Sequence, residues 1–412
     1  MDRPRRGRKH LIAMVGLPAR GKTFTARKLV GYLSWLGYPT QAFNVGEHRR
    51  VTVGPGQSHE YFDPANEDAA RQRAGLAKDA LDDACRWLRQ AGRIAVYDAT
   101  NSTRERRRSI RKRAEAEDFE LLFVEIVNDD PAIIEANLRE TKLRSPDYEG
   151  VPEAQALADF RKRIAHYENE YETLGEDEGA WVRLRNRGAQ VVINRVYGYI
   201  VGRVVFFLSN LQVSDRPVWL TRHGQSVFNM QGRIGWDASL SVSGAEYAQS
   251  LAAHVRDAFP AAANLDVWTS TLRRTILTAE PLGLQTGSWK ALDEIHAGAC
   301  EGMTYAEIER SMPGEFQARR RDKLEYRYPR GESYLDVIHR IDRVLIELER
   351  YRTPVLVVAH RAVLRAMVAY FQQLPIVETP HLDMPLHTVI KLTPTAYGCL
   401  EERVPLAPQV EN

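Results

Sequence analysis

The chain of 412 residues has the length of two or three domains. Its 57 basic and 54 acidic residues nearly cancel to a net charge of +3, which argues against a nucleic-acid partner. No apolar run reaches the roughly 18 residues of a membrane span, so no membrane partner is expected, and three scattered cysteines without disulfide or metal spacing favour a cytoplasmic location.

In the first half of the chain, short apolar runs alternate with amphipathic stretches. Strands are predicted at residues 10–16, 39–45, 93–100 and 121–127, and helices at residues 22–35, 68–89 and 153–171. Two further apolar runs, at residues 190–196 and 203–213, also predict strands. Strands that alternate with helices predict a parallel sheet with both faces covered.

A turn-rich segment at residues 214–217 predicts a boundary between two domains, residues 1–213 and residues 214–412. The second half again alternates between the two patterns. Strands are predicted at residues 218–222, 266–270 and 355–360, and helices at residues 245–258, 272–282 and 334–349. The chain is therefore predicted to hold two α/β domains.

The sequence GLPARGKT, residues 16–23, matches the P-loop pattern G-x-x-x-x-G-K-[ST] and lies between a predicted strand and a predicted helix. In this pattern, backbone N–H groups and the helix N-terminus surround the phosphates of a nucleotide, so ATP with Mg²⁺ is the expected cofactor. Lys22 would reach the β- and γ-phosphates, and the hydroxyl of Thr23 would bind Mg²⁺. The predicted nucleotide-binding residues of the loop are Gly16, Ala19, Arg20, Gly21, Lys22 and Thr23.

Asp98 closes the apolar strand RIAVYD. A carboxylate at this strand end can hold Mg²⁺ beside the P-loop, accept the proton of an attacking hydroxyl, or cap the helix that follows. We expect it to act as a catalytic and metal-binding residue. Basic side chains follow the strand ends of the same sheet, where a phosphorylated acceptor would bind. The candidates are Arg49, Arg50, Arg71, Arg104, Arg106, Lys142 and Arg163, with Tyr167 beside them.

Five strings within residues 10–210 occur in the order of a known family: FNVGEHRR, YFDPAN, DATNSTRERR, KLRSPDY and FRKRIAHY. They resemble the kinase half of the bifunctional 6-phosphofructo-2-kinase/fructose-2,6-bisphosphatase family. The resemblance implies a catalytic Lys142 between the donor phosphate and the sugar, and an adenine contact from Asn137. It implies fructose 6-phosphate contacts from Arg49 or Arg50, Arg71, Thr100, Arg106, Arg163 and Tyr167. His48 and Ser102 replace a tyrosine and a threonine that are usual in the family.

A second motif, RHG, ends the strand predicted at residues 218–222, and SVFN, GRIG, TSTLRRTILTAE, LDEIHAG and VLVVAHRAVLR follow it. Together these strings resemble the histidine phosphatase superfamily. An imidazole nitrogen of His223 would attack phosphorus and form a phosphohistidine. Arg222, Arg274 and His360 would hold the equatorial phosphoryl oxygens. Glu294 would protonate the leaving oxygen and then activate water, and no cofactor or metal is expected in this domain.

The strings CEGMTYAEI, YRYPRGESY and PLHTVIKLTPTAYGC resemble the bisphosphatase branch in particular. This resemblance implies that the second phosphate and the surrounding pocket are held by Asn229, Arg233, Tyr305, Arg319, Lys323 and Arg365. Gln225 replaces the glutamate that usually follows RHG, and Arg361 replaces a glutamine beside His360. The extra cation at Arg361 is expected to tighten the binding of a bisphosphate or to slow product release.

The sequence thus predicts a P-loop kinase domain with a parallel sheet, followed by a histidine-phosphatase α/β domain like that of phosphoglycerate mutase. The predicted activities are synthesis of fructose 2,6-bisphosphate from ATP and fructose 6-phosphate, and hydrolysis of its 2-phosphate. The resemblance also implies a homodimer. Two alternatives are a kinase–phosphatase fusion that acts on another phosphoester, and a metabolite sensor with one silent domain. The near-neutral charge opposes nucleic-acid end repair, and the complete set of reactive side chains opposes the sensor.

Overall fold

The computed structural model describes residues 7–139, 146–211, 216–259, 265–284, 286–395 and 398–410. The chain divides into two compact units, residues 1–211 and residues 212–412. Across the described ranges, no helix combines the length and the apolar character needed to cross a membrane.

In the first unit, strands and helices alternate along most of the chain. The described strands are β1 (His10–Val15), β2 (Thr40–Asn44), β3 (Ile94–Asp98), β4 (Glu120–Val127), β5 (Trp181–Arg185) and β6 (Gln190–Asn194). The described helices are α1 (Lys22–Trp35), α2 (Val45–Thr52), α3 (Glu67–Gln90), α4 (Arg104–Ala116), α5 (Pro131–Asn137), α6 (Glu153–Glu168) and α7 (Tyr199–Asn210).

The strands of the first unit form one sheet in the order β2-β3-β1-β4-β5-β6, in which β6 is the antiparallel strand. All six residues of β1 are buried, because the strand lies inside the sheet and helices cover it. Leu11 and Val15 of β1 pack in one core cluster with Ala84 and Leu88 of α3. The carboxyl ends of the parallel strands meet at one edge, and the P-loop after β1 lies there.

The strand predicted at residues 203–213 is wrong, because its described part lies in helix α7. Buried residues at Val201, Val204, Val205 and Leu208 recur with the period of a helix, whereas Phe206 faces outward. A continuous apolar run does not separate a buried strand from a buried helix by itself. The apolar stretch begins after Gly198, and its length is greater than that of a typical strand, which favours a helix.

In the second unit, a parallel core sheet is extended by an antiparallel hairpin. The described strands are β7 (Val218–Arg222), β8 (Asp266–Thr269), β9 (Thr286–Ser288), β10 (Val355–Ala359), β11 (Thr388–Thr395) and β12 (Gly398–Pro405). The described helices are α8 (Val227–Met230), α9 (Val242–Ala258), α10 (Arg273–Ala279), α11 (Tyr305–Ser311), α12 (Pro313–Arg321), α13 (Tyr334–Arg350) and α14 (Arg361–Phe371).

The sheet of the second unit has the order β12-β11-β7-β10-β8-β9. Strands β7 and β10 are parallel neighbours, and their register pairs Arg222 with Ala359. His223 and His360 are therefore the first residues after two adjacent parallel strands. This register, together with the complete burial of β7 and β10, brings the two histidines to one point at the sheet edge.

Candidate functional sites

The P-loop holds a backbone conformation that requires glycine at two positions. Gly21 has φ of 97° and stands at the N-cap of α1, where no side chain caps the helix. Gly16 has φ of 137°, and a Cβ there would lie 2.5 Å from the carbonyl oxygen of Ile126. The first-turn N–H groups of α1 are thus left without a side-chain cap, as a bound phosphate requires.

Side chains from three elements hold the P-loop in this shape. Asn137 at the end of α5 donates to the carbonyl of Ala19 at 2.9 Å, and Asn128 donates to the carbonyl of Arg20 at 2.7 Å. The guanidinium of Arg20 donates to Glu168 at 3.1 Å. Lys22 is buried, and its ammonium donates to the carbonyl of Leu17 at 2.7 Å. Asn137, the predicted adenine contact, is therefore hydrogen-bonded to the P-loop.

Asp98 lies at the buried carboxyl end of β3, next to β1. Its carboxylate accepts a hydrogen bond from the amide of Asn44, its register partner on β2. Asn44 in turn caps α2, with its side-chain oxygen accepting from the N–H of Glu47 at 2.8 Å. Asp98 is thus fixed beside the P-loop strand, and the cap of α4 is supplied by Thr103 and not by Asp98. This removes the helix-cap alternative.

Arginines and aromatic rings from α2, α6 and the segment before α3 form a cluster in the first unit. Arg49 is buried and donates to both carboxylate oxygens of Asp147, at 2.7 and 2.6 Å. The guanidinium carbon of Arg163 lies 3.5 Å from the centre of the Phe62 ring, and the Tyr167 ring lies 6.3 Å from the same ring. Burial lowers the pKa of Arg163. The structure therefore joins three of the predicted acceptor residues.

Arg73 is a member of this cluster that the sequence analysis missed. It donates to the carbonyl of Tyr61, and its guanidinium carbon lies 5.9 Å from the centre of the Tyr61 ring. The predicted Arg71 is instead paired with Asp68 on an exposed face of α3. Residues that are two positions apart on a helix point in directions that differ by about 200°, so Arg71 and Arg73 face opposite sides of α3. The sequence did contain a signal for this choice, because Arg73 lies on the same face of α3 as its apolar residues Ala69 and Ala77.

The remaining predicted residues of the first unit lie in different surroundings. Arg106 is half-buried near the end of β3, where it donates to Asn101 at 3.1 Å and to the hydroxyl of Tyr97 at 2.8 Å. The carbonyl of Thr100 accepts from the N–H of Gly16 at 3.0 Å, which places Thr100 against the P-loop. Three predicted acceptor residues remain. Arg50 lies 3.7 Å from Asp147, Arg104 forms an exposed pair with Asp177, and Lys142 lies outside the described residues.

In the second unit, His223 and His360 are buried with their ring centres 5.1 Å apart. Nδ1 of His223 lies 2.7 Å from the carbonyl of Gly224, so this nitrogen carries the proton and Nε2 keeps its lone pair. Nε2 of His360 lies 2.8 Å from the hydroxyl of Ser270. Ser270 is a further residue that the sequence analysis missed.

Both imidazoles are held in the neutral form. Burial, followed by the charge of Arg274, lowers the pKa of each ring well below its usual value. A neutral ring has the free lone pair that nucleophilic attack on phosphorus requires. Among the described residues, Nδ1 of His360 is buried without a hydrogen-bond partner.

Two buried arginines flank the histidines. Arg222 donates to the carbonyl of Met384 at 2.8 Å, and burial lowers its pKa to about 9, with Arg361 adding to the effect. Arg274 at the start of α10 donates to the carbonyl of Trp236, and burial lowers its pKa as well. Desolvated cations are stabilised when a phosphate enters between them.

Glu294 is positioned by hydrogen bonds to the main chain. Its carboxylate accepts from the N–H of Ala362 at 3.2 Å, in the first turn of α14. Arg340 of α13 donates to the carbonyls of Asp293 and Glu294, at 2.6 and 3.1 Å, and so fixes the loop that carries the carboxylate. Arg340 was not identified from the sequence, because the carbonyls that it holds belong to residues 47 and 46 positions away.

Four basic side chains extend the charge of this pocket. Lys323 donates to the carbonyl of Pro380 at 2.9 Å, and burial together with Arg365, Arg319 and Arg361 lowers its pKa to about 8. Arg365 donates to the carbonyl of Leu382 at 2.6 Å. Nε of Arg361 is buried without a hydrogen-bond partner within the described ranges. The charges of these three arginines therefore act on Lys323.

The other predicted residues of the second unit take supporting positions. Arg319 donates to the hydroxyl of Tyr305 at 2.9 Å. Asn229 accepts from the N–H and the hydroxyl of Ser226 and so completes the cap of α8, close to the RHG loop. Arg233 pairs with Glu307 at 3.1 Å and donates to the carbonyl of Gly302. In this arrangement the guanidinium of Arg233 is hydrogen-bonded to other residues of the protein.

The two folds and sites define two classes of protein on one chain, a P-loop kinase and a histidine phosphatase. Residues 3–215 match the 6-phosphofructo-2-kinase family, and residues 218–404 match branch 1 of the histidine phosphatase superfamily. With these matches and the relatives described next, the chain belongs to the 6-phosphofructo-2-kinase/fructose-2,6-bisphosphatase family.

A 6-phosphofructo-2-kinase/fructose-2,6-bisphosphatase of Gallus gallus is 47% identical over 98% of this chain and 86% of its own length. One of Arabidopsis thaliana is 46% identical over 98% of this chain, and this chain spans 55% of that relative's length. Among solved structures, a mycobacterial glucosyl-3-phosphoglycerate phosphatase matches 46% of this chain and 97% of its own, with 28% identity and a TM-score of 0.39.

Proposed function

We propose that this protein is a bifunctional enzyme that makes and hydrolyses fructose 2,6-bisphosphate. The first domain, residues 1–213, would transfer the γ-phosphoryl group of ATP to the 2-hydroxyl of fructose 6-phosphate. The second domain, residues 214–412, would return fructose 6-phosphate and inorganic phosphate. The observation that carries this proposal is the presence, on one chain of this family, of a P-loop with an uncapped helix N-terminus and of two adjacent neutral histidines.

The kinase site has the donor groups that ATP and Mg²⁺ need. The first-turn amides of α1 and the ammonium of Lys22 would hold the phosphates, and Thr23 and Asp98 would hold the metal. Bound Mg²⁺ would neutralise charge on the transferring phosphate. Lys22 donates to the carbonyl of Leu17 within the loop, and it would exchange that partner for a phosphate oxygen.

The acceptor sugar phosphate would bind at the arginine cluster. Arg49, Arg73 and Arg163 supply positive charge. Arg49 and Arg163 lie over the ring of Phe62, which contacts Tyr167, and Arg73 lies over the ring of Tyr61. The ion pair between Arg49 and Asp147 orients the guanidinium of Arg49. Arg106, and Lys142 beyond the described ranges, are proposed to complete the site.

In the phosphatase site, the proposed reaction begins with attack of His223 Nε2 on the 2-phosphorus. The Nδ1 proton shared with the Gly224 carbonyl keeps this lone pair available. Arg222, Arg274 and His360 would hold the three equatorial oxygens, while Glu294 protonates the departing sugar oxygen. Glu294 would then deprotonate the water that releases phosphate from the phosphohistidine. Tyr305, Arg319, Lys323, Arg361 and Arg365 would bind the 6-phosphate, with Asn229 and Arg233 supporting the pocket.

We further propose a cytoplasmic homodimer with small-molecule ligands and neither a nucleic-acid nor a membrane partner. Support for the dimer comes from the family and from β6, an edge strand whose Ile193 is 53% exposed. Support for small ligands comes from the balanced charge of 57 basic and 54 acidic residues.

Time-resolved ³¹P NMR of the protein with Mg-ATP and fructose 6-phosphate tests the proposed function. The expected result is a new resonance for a phosphate on the anomeric carbon, followed by inorganic phosphate. The same resonance without inorganic phosphate would refute the phosphatase half. Unchanged ATP with no new resonance would refute the kinase half and its acceptor.

A further inference from the structure

His387 connects the loop after His223 to the end of the chain, and nothing in the reaction above uses it. The N–H of Gln225 donates to Nε2 of His387 at 3.0 Å. Nδ1 of His387 makes a second hydrogen bond with the carbonyl of Pro408. His387 is fully buried, with relative exposure of 0%. It is therefore a bridge between two backbone segments and not a surface side chain.

These two partners fix the protonation of the ring. A backbone N–H can only donate, so Nε2 must accept, and a carbonyl can only accept, so Nδ1 must carry the proton. A protonated ring would turn a second N–H toward the N–H of Gln225. Burial lowers the pKa of His387, which agrees with the neutral form that the geometry requires.

The other face of the ring is held by Tyr247 of α9. The two rings are stacked, with centres 4.4 Å apart and planes 3° from parallel. The hydroxyl of Tyr247 bonds to the hydroxyl of Thr221, which also donates to the carbonyl of Thr388 at 3.0 Å. Thr221 precedes Arg222 and Gln225 follows Gly224. The network therefore holds the RHG segment from both ends.

We propose that His387 is a positioning residue of the phosphatase site, and that its neutral Nδ1–H form sets the path of residues 223–225 through the hydrogen bond from Gln225. This proposal rests on the proposed function of the second domain. The loop directs Nε2 of His223 at phosphorus, and a displacement of about 1 Å in such a group costs roughly 100-fold in rate. Neither the side chain of His387 nor that of Tyr247 needs to touch substrate.

Two substitutions separate the hydrogen bond to the loop from the hydrogen bond to the chain end. His387→Gln places an amide oxygen near the position of Nε2, so it keeps an acceptor for Gln225 and loses the donor to Pro408. His387→Asn places an amide near the position of Nδ1, so it keeps the donor and loses the acceptor. Both variants lose the stacking on Tyr247 equally, which makes them matched controls for each other.

The measurements are the kcat and KM of fructose 2,6-bisphosphate hydrolysis, with circular dichroism and thermal unfolding of each variant as the folding control. We expect His387→Asn to lower kcat about 10- to 100-fold with KM within a factor of three, and His387→Gln to stay within about threefold of the parent. Equal losses in both variants, or a greater loss in His387→Gln, would overturn the proposal, because a purely structural link to the chain end predicts that result.

A second measurement does not depend on the substrate. ¹⁵N NMR of histidine-labelled protein at neutral pH, with His387→Gln to assign the signals, should show Nδ1 protonated and Nε2 unprotonated. A proton on Nε2 would overturn the proposal even in an active enzyme. The protein could show the expected tautomer and still not hydrolyse fructose 2,6-bisphosphate. That result would refute the proposed substrate and not the role of His387, and the kcat comparison would then be repeated with p-nitrophenyl phosphate.

Discussion

The carboxylate of Glu294 accepts the backbone N–H of Ala362 at 3.2 Å, in the first turn of the helix that begins directly after His360. The group proposed as acid and base is thus tied to the same helix N-terminus that positions the second histidine. Since His360 stands at the N-cap of α14, any shift of this helix moves both groups together.

Glu294→Gln should lower kcat for phosphatase activity by about 10²- to 10⁴-fold, because the amide cannot donate and recover a proton. The amide oxygen can still accept from Ala362, so the fold and substrate binding should be retained. Steady-state hydrolysis of fructose 2,6-bisphosphate measures the effect. Glu309→Gln, at an exposed position of α11, is the matched control. More than a tenth of the parent kcat in Glu294→Gln would exclude the proposed role.

The two activities should be separable by single substitutions. Lys22→Met removes the ammonium proposed to hold the γ-phosphate and should abolish synthesis while hydrolysis continues. His223→Ala should abolish hydrolysis and phosphohistidine formation while synthesis continues. Both rates are measured on each variant with labelled ATP and labelled bisphosphate, and Lys112→Met on the exposed side of α4 serves as the control. Loss of both activities in one well-folded variant would contradict two independent sites.

Arg73 and Arg71 provide a matched pair two residues apart on α3. Arg73→Ala should raise KM for fructose 6-phosphate and lower kcat/KM by roughly 10- to 100-fold, since hydrogen bonds to charged groups contribute about 1.5–3 kcal/mol. Arg71→Ala should change kcat/KM less than twofold, because its side chain is exposed and pairs with Asp68. The measurement is kcat and KM of the kinase reaction for each variant at varied concentrations of fructose 6-phosphate. The opposite order of effects would place the acceptor site on the other face of the helix.

Phosphatase kcat/KM should fall as the pH rises through about 8. Burial and three neighbouring arginines lower the pKa of Lys323 to about 8, so it is charged below this pH and neutral above it. A neutral amine binds the 6-phosphate less tightly, and kcat/KM reports the free enzyme. In Lys323→Arg the decline should move toward pH 9, where Arg222 begins to lose its proton. An identical alkaline limb in parent and variant would show that Lys323 does not face the substrate.

Arg361→Gln should weaken inhibition by inorganic phosphate by about fivefold or more, since a charge at about 4 Å contributes about 1 kcal/mol in bulk water and about 4 kcal/mol near a protein surface. The lost cation should also raise the pKa values of Arg222 and Lys323, because Arg361 lowers both. The phosphate inhibition constant and the alkaline limb of kcat/KM measure the two effects. Arg320→Gln on exposed α12 is the control. Unchanged phosphate inhibition would mean that Arg361 points away from the product.

The sequence was sufficient for features that depend on neighbouring residues. The P-loop lies between a strand and a helix and the RHG motif follows a strand, as expected, and the short strands before them were predicted to within a few residues. The one wrong strand, now α7, arose because a continuous apolar run fits either a buried strand or a buried helix. Local pattern alone does not decide between two structures that can both bury most of an apolar run.

The residues that position the sites could not be read from the chain. Arg340 and Ser270 act through partners that the fold brings close from distant positions, and His387 acts through backbone atoms that have no sequence signature. The choice between Arg71 and Arg73 depended on which face of α3 meets Tyr61. The sequence by itself thus determined the two chemistries, because reactive groups and glycines are needed at fixed spacing. Only the tertiary structure decided how they are oriented and protonated, because burial and long-range hydrogen bonds form when strands and helices pack.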